Sequence, residues 1–144
     1  MRVQLIDPIT REAAAAAALH LIRRLDEAES LITQAHLFFA RREYHKAEPL
    51  YWRALQVKRE SLGADHGEVA ACLENLADLY EIQRHYDDAI RTYECAVEVK
   101  RKILGLDHPE VFRSAKRLAR LRSAAKMRGK AAGLEAFPNH ISLT

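Results

Sequence analysis

The residues of this 144-residue chain best suited to binding a metal or acting as nucleophiles are seven histidines and two cysteines. They are His20, His36, His45, His66, His85, His108 and His140, with Cys72 and Cys95. A metal site gathers such residues at short, characteristic spacings. No two of these histidines are a helical turn apart, and neither cysteine has a Cys or His cluster beside it. Nucleophilic chemistry needs a base next to the Ser, Cys or Lys that attacks, and phosphate chemistry needs a glycine-rich loop. Neither pattern is present. The carboxylates are scattered along the chain, as on a solvated surface. The expectation is a protein with no metal, no cofactor and no catalytic centre.

One stretch has a strong chemical character. From Arg113 to Lys130 the chain carries Arg113, Lys116, Arg117, Arg120, Arg122, Lys126, Arg128 and Lys130, with no acidic residue among them. Three roles fit. The stretch can be a terminal helix with a solvated outer face. It can accept acidic groups of a partner. It can serve as a nucleic-acid adaptor, which is disfavoured because no aromatic residue is interleaved for base stacking. The formal net charge of the whole chain is only +3, so the excess is local.

The elements that would position these residues are helices. Gly and Pro number only 5 and 4, and 30% of residues are charged against 49% hydrophobic. Few breakers and abundant Ala, Leu, Glu, Arg and Lys favour helix throughout a folded domain. No apolar run is long enough to span a membrane. Asp7 and Pro8 interrupt the start where a secretory leader would be apolar. A cytoplasmic protein with reduced thiols is the expectation.

A shift of about 42 residues superposes two blocks of the chain. Leu31 falls on Leu73, Ala35 on Ala77, Leu37 on Leu79 and Arg42 on Arg84. Tyr44 falls on Tyr86, Ala47 on Ala89, Tyr51 on Tyr93 and Ala54 on Ala96. Val57-Lys58-Arg59 falls on Val99-Lys100-Arg101, and Gly63 falls on Gly105. Each block reads as two helices with an apolar face at helical spacing. Ala47, Ala54, Ala89 and Ala96 let helices approach closely, and the tyrosines fill the space that remains. Tyr44 and Tyr86 mark bends, and Gly63 and Gly105 mark helix stops. Asp65 and Asp107 are then the expected N-caps, with Glu68 and Glu110 three residues on as reciprocal partners. His66 and His108 recur at the same spacing and take a packing or capping role.

This pattern, Ala35, Phe38, Tyr44, Ala47, Tyr51, Ala54 and again Ala77, Tyr80, Tyr86, Ala89, Tyr93, Ala96, resembles the tetratricopeptide repeat. The longer period, with Leu62-Gly63-Ala64-Asp65-His66 and Leu104-Gly105-Leu106-Asp107-His108-Pro109, is similar to the kinesin light chain type of repeat. The resemblance covers about Ala28 to Leu121 and concerns the repeat class. It implies an all-α fold, a short right-handed α-solenoid of antiparallel helix pairs. It also implies a concave groove lined by the first helices of successive repeats. Residues turned into that groove would be Ile32, Thr33, His36 and Phe39, then Glu74, Asn75, Asp78 and Glu81, then Arg113, Lys116, Arg117 and Arg120. Asn75 stands where the family commonly holds a bound peptide backbone, whereas Thr33 and Arg117 replace Asn at the equivalent positions.

The chain therefore divides into an N-terminal extension with an added helix (1–27), a repeat region (28–130) and a loose tail (131–144). The repeat region comprises 28–66, 67–108 and a capping helix from Val111 to about Arg128. Thr10 is the expected cap of the added helix. Apolar spacing through Leu21, Leu25, Ala28, Ile32, Ala35 and Phe39 allows that helix to continue into the first repeat, for roughly 45 Å at about 1.5 Å per residue. The expected function is non-enzymatic: a module whose groove holds a partner segment with an acidic and an apolar residue. Arg117 and Arg120 are the expected anchors for the acidic group, since Arg grips a carboxylate with two hydrogen bonds. Glu74 and Asp78 could instead neutralise Lys116 and Arg120 across the stack. Self-assembly through the N-terminal helix is the alternative function, and nucleic-acid binding the less favoured one.

Overall fold

The computed structural model describes residues 7–135. Five helices follow one another, α1 (Pro8–Ala40), α2 (Tyr44–Leu62), α3 (Gly67–Ile82), α4 (Tyr86–Leu104) and α5 (Pro109–Glu135), and no strand occurs among the described residues. Each helix packs mainly on its chain neighbours, α1 on α2, α2 on α3, α3 on α4 and α4 on α5. The result is the expected short helical solenoid: two helix pairs and one further helix.

The added helix and the first repeat helix are one continuous element of 33 residues. It starts at Asp7, with Pro8 in the first turn where a missing N–H is harmless. Thr10, the expected cap, lies inside the helix. Proline's preset backbone angle fits the first turn, which moves the start upstream. Residues 136–144, expected within the loose tail, lie outside the described residues. Positions 131–135, expected to belong to that tail, are the end of α5, which passes the expected stop near Arg128.

The bends after α1 and α3 share one geometry. Arg42 and Arg84 have positive φ, 63° and 62°. The N–H of Glu43 donates to the carbonyl of Phe38, and that of Arg42 to Phe39. His85 and Arg84 repeat this with Tyr80 and Glu81. This six-to-one and five-to-two pair of bonds closes a helix end before the chain reverses. Gly63 and Gly105 end α2 and α4 at φ 90° and 87°, where a side chain would be strained.

The next starts differ from expectation in one detail. His66 and His108 cap α3 and α5 through their ring nitrogens. His66 Nδ1 accepts from the Glu68 N–H at 3.1 Å, and His108 Nδ1 accepts from the Glu110 N–H at 3.2 Å. Asp65 and Asp107 are one residue too early. Asp65 instead pairs with Lys102 at 3.4 Å. The recurrence of the two histidines is thus a capping recurrence.

Close approach of the helices rests on the small residues. Ala28, Ala35, Ala47, Ala54, Ala77, Ala89 and Ala96 have no exposed surface. Tyr51, Leu55, Leu73, Leu76, Leu79 and Tyr80 fill the layer between them, and Ala77, Tyr93, Val97, Leu118 and Leu121 join α5 to the stack. A buried Lys58 ties three helices together. Its ammonium meets Glu29 of α1 at 2.5 Å and Glu68 of α3 at 3.2 Å.

Candidate functional site

On the exposed side of the stack α5 reaches α3. Arg117 Nη2 lies 2.5 Å from Asp78 Oδ1 and 3.2 Å from Glu81 Oε2. The same guanidinium lies over the Tyr93 ring, 5.4 Å from its centre. A cation on an aromatic face gains from the ring quadrupole. Arg117 is therefore held by two carboxylates and a ring, and it is not free to anchor a ligand.

Asp78 is in an unusual position. Its Oδ1 is buried and makes no hydrogen bond, since Arg117 approaches closely but off the hydrogen-bonding direction. Burial raises its carboxyl above the usual range, and the Arg117 charge only partly offsets this. The neighbouring phenols respond to the same environment. Burial, and then the Asp78 charge, pushes Tyr51 up to about 12. Burial, and then Glu74, pushes Tyr93 up to about 12.

Glu74 reaches the basic helix but pairs with neither Lys116 nor Arg120. It accepts from the Lys100 ammonium at 2.6 Å and from the Ser114 hydroxyl at 3.1 Å, between α3, α4 and α5. The neutralisation of Lys116 and Arg120 by Glu74 and Asp78 is thus replaced by two other pairs, Glu74 with Lys100 and Asp78 with Arg117. Side-chain reach explains the change. Lys100 comes up from α4 beneath Glu74, and Arg117 sits one residue closer to α3 around α5 than Lys116 does.

Arg113, Lys116 and Arg120 make no ion pair with a described residue. With Arg117, Glu81 and Ala124 they line a hollow of about 510 Å³ between α3 and α5. Of the block-one residues, Ile32 and Phe39 are half-buried against the core. Phe39 meets the Tyr44 ring edge-on at 5.5 Å, and exposed His36 meets Tyr51 in the same way at 5.6 Å. The Thr33 hydroxyl donates to its own helix, to the Glu29 carbonyl at 2.9 Å. Asn75 is half-buried on α3. The face accordingly runs from an aromatic and apolar end on α1, through a partly neutralised acidic row on α3, to cations without an ion-pair partner among the described residues on α5.

Two features were not foreseen from the sequence. Tyr51 and Tyr93 take part in this face; their recurrence pointed only to space-filling. On the other side of the molecule α2 borders a hollow of about 610 Å³ with Glu48, Pro49, Trp52, Arg53 and Arg59. There the Trp52 N–H donates to the Tyr80 hydroxyl at 3.0 Å, which in turn donates to Glu48 at 3.0 Å. The signal was available: block two has Glu94 at the position of Trp52, so the repeat does not require the indole.

No group of three or more metal-ligating side chains occurs among the described residues. No described helix is long and apolar enough to cross a membrane. Cys72 is buried, and burial pushes its thiol up to about 11, away from nucleophilic use.

Stacked helix pairs with small-residue crossings and an exposed inner face define a repeat scaffold, a class that presents surfaces to other proteins. The tetratricopeptide repeat profile matches residues 26–102, more than half of the chain, and the chain belongs to that family. Repeats of this family generally mediate protein–protein interaction. A search of curated proteins finds no match to the chain.

Proposed function

We propose that this protein is a non-enzymatic interaction module that holds a partner segment along the face shared by α1, α3 and α5. An acidic residue of the partner meets Arg113, Lys116 and Arg120. An apolar residue meets Ile32 and Phe39, and Asn75 holds backbone between them. The observation that carries this reading is the contrast among the cations: Arg117 is consumed by Asp78 and Glu81, whereas its three neighbours around the hollow have no ion-pair partner among the described residues. A compact cluster of unpaired cations invites a carboxylate. Because Arg117 offsets part of the charge of Asp78 and Glu81, the acidic row repels an acidic segment less than its sequence implies.

Labelled peptides combining Asp or Glu with Leu or Phe at varied spacing test the reading. Lys116→Glu with Arg120→Glu should abolish binding, and Lys126→Glu with Lys130→Glu should change it little. Salt should weaken the complex without eliminating it, because the apolar contact is not screened. Equal binding by wild type and the Lys116/Arg120 variant would place the site elsewhere.

Self-assembly is a second reading, supported by one observation. All residues from Asp7 to Arg23 are exposed, including Ile9, Leu19 and Ile22. Light scattering decides it: a strict monomer at high concentration removes this reading. A cytoplasmic setting suits both readings, given the two free thiols.

A further inference from the structure

The internal repeat shows what should cover each face of α5. On α3 one stripe, Val69, Cys72, Leu76 and Leu79, is buried, and a second stripe, Ala70, Leu73 and Ala77, is buried as well. Moved on by the repeat, the first becomes Val111, Ser114, Leu118 and Leu121 of α5, which are all buried. The second becomes Phe112, Ala115 and Ala119, which are all exposed. In the first pair the matching residues of α1 are Ala28, Leu31 and Ala35; the two alanines are fully buried and Leu31 is half-buried. So this stripe is covered on α1 and α3 and has no helix over it on α5 among the described residues. Phe112 is 71% exposed there. An aromatic ring standing on two exposed alanines offers a helix a knob and a flat bed.

The same stripe continues in helical register to Lys126 and Lys130, one and two turns beyond Arg122. Arg122 is paired with Glu94 of α4 at 2.5 Å, whereas Lys126 and Lys130 make no ion pair with a described residue. The stripe is therefore apolar toward the start of α5 and cationic toward its end. A helix packed antiparallel on it sets its own start beside Lys126 and Lys130. Acidic residues are also favoured at a helix start by the backbone dipole. A second copy of this chain does not meet that requirement. Its unpartnered helical surface, the first half of α1, carries Arg11 beside Glu12 and no acidic excess.

We propose that Phe112, Ala115, Ala119, Lys126 and Lys130 form a docking site for an amphipathic helix of a partner protein. That helix lies antiparallel to α5, acidic in its first turns and apolar in its later ones. It takes the place that α2 and α4 take on α1 and α3. The site borders the groove at Lys116, one turn from Phe112, while Arg113 and Arg120 lie further round α5.

The test uses the full chain and two labelled helical peptides of 19 residues, the length of α2 and α4. Both carry an Ala/Leu stripe; one has Asp and Glu in its first half, the other the same residues in its last half. The first should bind about tenfold more tightly, a typical effect of one well-placed group at an interface. Phe112→Glu or Ala119→Glu should each weaken it about tenfold or more, with unchanged helicity because both positions are exposed. Lys126→Glu with Lys130→Glu should erase the preference between the peptides. Arg113→Glu with Arg120→Glu, which leaves Lys116 in place, should leave both affinities unchanged, which separates this site from the groove. Wild-type affinity in Phe112→Glu, or no binding of either peptide at millimolar concentration, overturns the proposal. So does a wild-type dimer that Phe112→Glu dissociates, which would make a second copy the occupant. Deletion of residues 136–144 should leave the affinity unchanged, and a tenfold gain would make that tail the cover and overturn the proposal as well.

Discussion

The two repeats place the same residues in different company. Lys58 and Lys100 are equivalent, and each ends its helix beneath a neighbouring first helix. Lys58 is almost fully enclosed, with a side chain 5% exposed, and it bridges the carboxylates of two helices. Lys100 is 15% exposed and holds one carboxylate and the Ser114 hydroxyl. The difference comes from the next helix in each case. After α2 the chain supplies Cys72 and Glu68 of α3, whereas after α4 it supplies Ser114 of α5. An identical residue thus ties three helices in both repeats, through two carboxylates in one and through a carboxylate and a hydroxyl in the other. The inner face differs in the same way. Ile32, Thr33, His36 and Phe39 are apolar or neutral, and the matching Glu74, Asn75, Asp78 and Glu81 are mostly acidic and mostly paired.

The largest expected effect tests what the repeats share. Ala54→Leu and Ala96→Leu should each cost about 1–3 kcal/mol, because both alanines are fully buried at helix crossings and overpacking strains the core. A lowered urea midpoint for both is expected; loss in only one would show that the two crossings are not equivalent. Next, Lys58→Ala should cost about 1–2 kcal/mol, chiefly through lost packing of its stem, and Lys100→Ala should cost less. Lys58→Met should recover most of this loss, because Glu29 and Glu68 are at least half exposed and re-enter water. The pH dependence of the same tie has a definite sign. Burial lowers the Lys58 pKa, but the bonds its ammonium donates to Glu29 and Glu68 prevail and raise it overall. A raised lysine contributes stability that is present below about pH 10.4, its unfolded value, and is lost above it. Wild type should therefore lose stability above that pH more steeply than Lys58→Met does.

A smaller effect distinguishes the two helix starts. His66→Ala and His108→Ala should each cost about 0.5–1 kcal/mol, and Asn at either position should restore most of it. The cost should be larger at His66, since α3 is packed on both sides and α5 on one. Thermal melts of the four variants check this order. The smallest effect is a gain. Asp78→Asn should stabilise the protein by a few tenths of a kcal/mol near pH 7, because a partly buried carboxylate with a raised pKa opposes folding while ionised. The sign follows from the raised folded value: the penalty exists at higher pH and vanishes once Asp78 is protonated in both states. The gain should disappear below about pH 4, as read from urea titrations across pH.

Much of this architecture was legible because it depends on local rules. Gly63 and Gly105 had to stop helices, and paired alanines at a fixed shift had to be crossings. The continuous apolar spacing from Leu21 to Phe39 allowed the single long α1. Caps were legible only to within a residue. Asp65 and His66 are adjacent, and both can accept an N–H. The chosen cap depends on where the chain leaving Gly63 turns, which is set by the packing of α2 on α3.

The inner face divides along the same line. By itself the sequence determined that α5 would be basic and that α3 would be acidic; that first helices lie side by side came from the resemblance to the repeat family. Periodicity and composition suffice for the two charges, since they are properties of each helix alone. Only the tertiary structure decided that Arg117 reaches Asp78 and Glu81 while Lys116 and Arg120 do not, and that Glu74 turns to Lys100. Those choices depend on helix rotations of a fraction of a turn and on side chains several ångströms long. The closing of each ion pair is settled by packing between helices distant in the sequence.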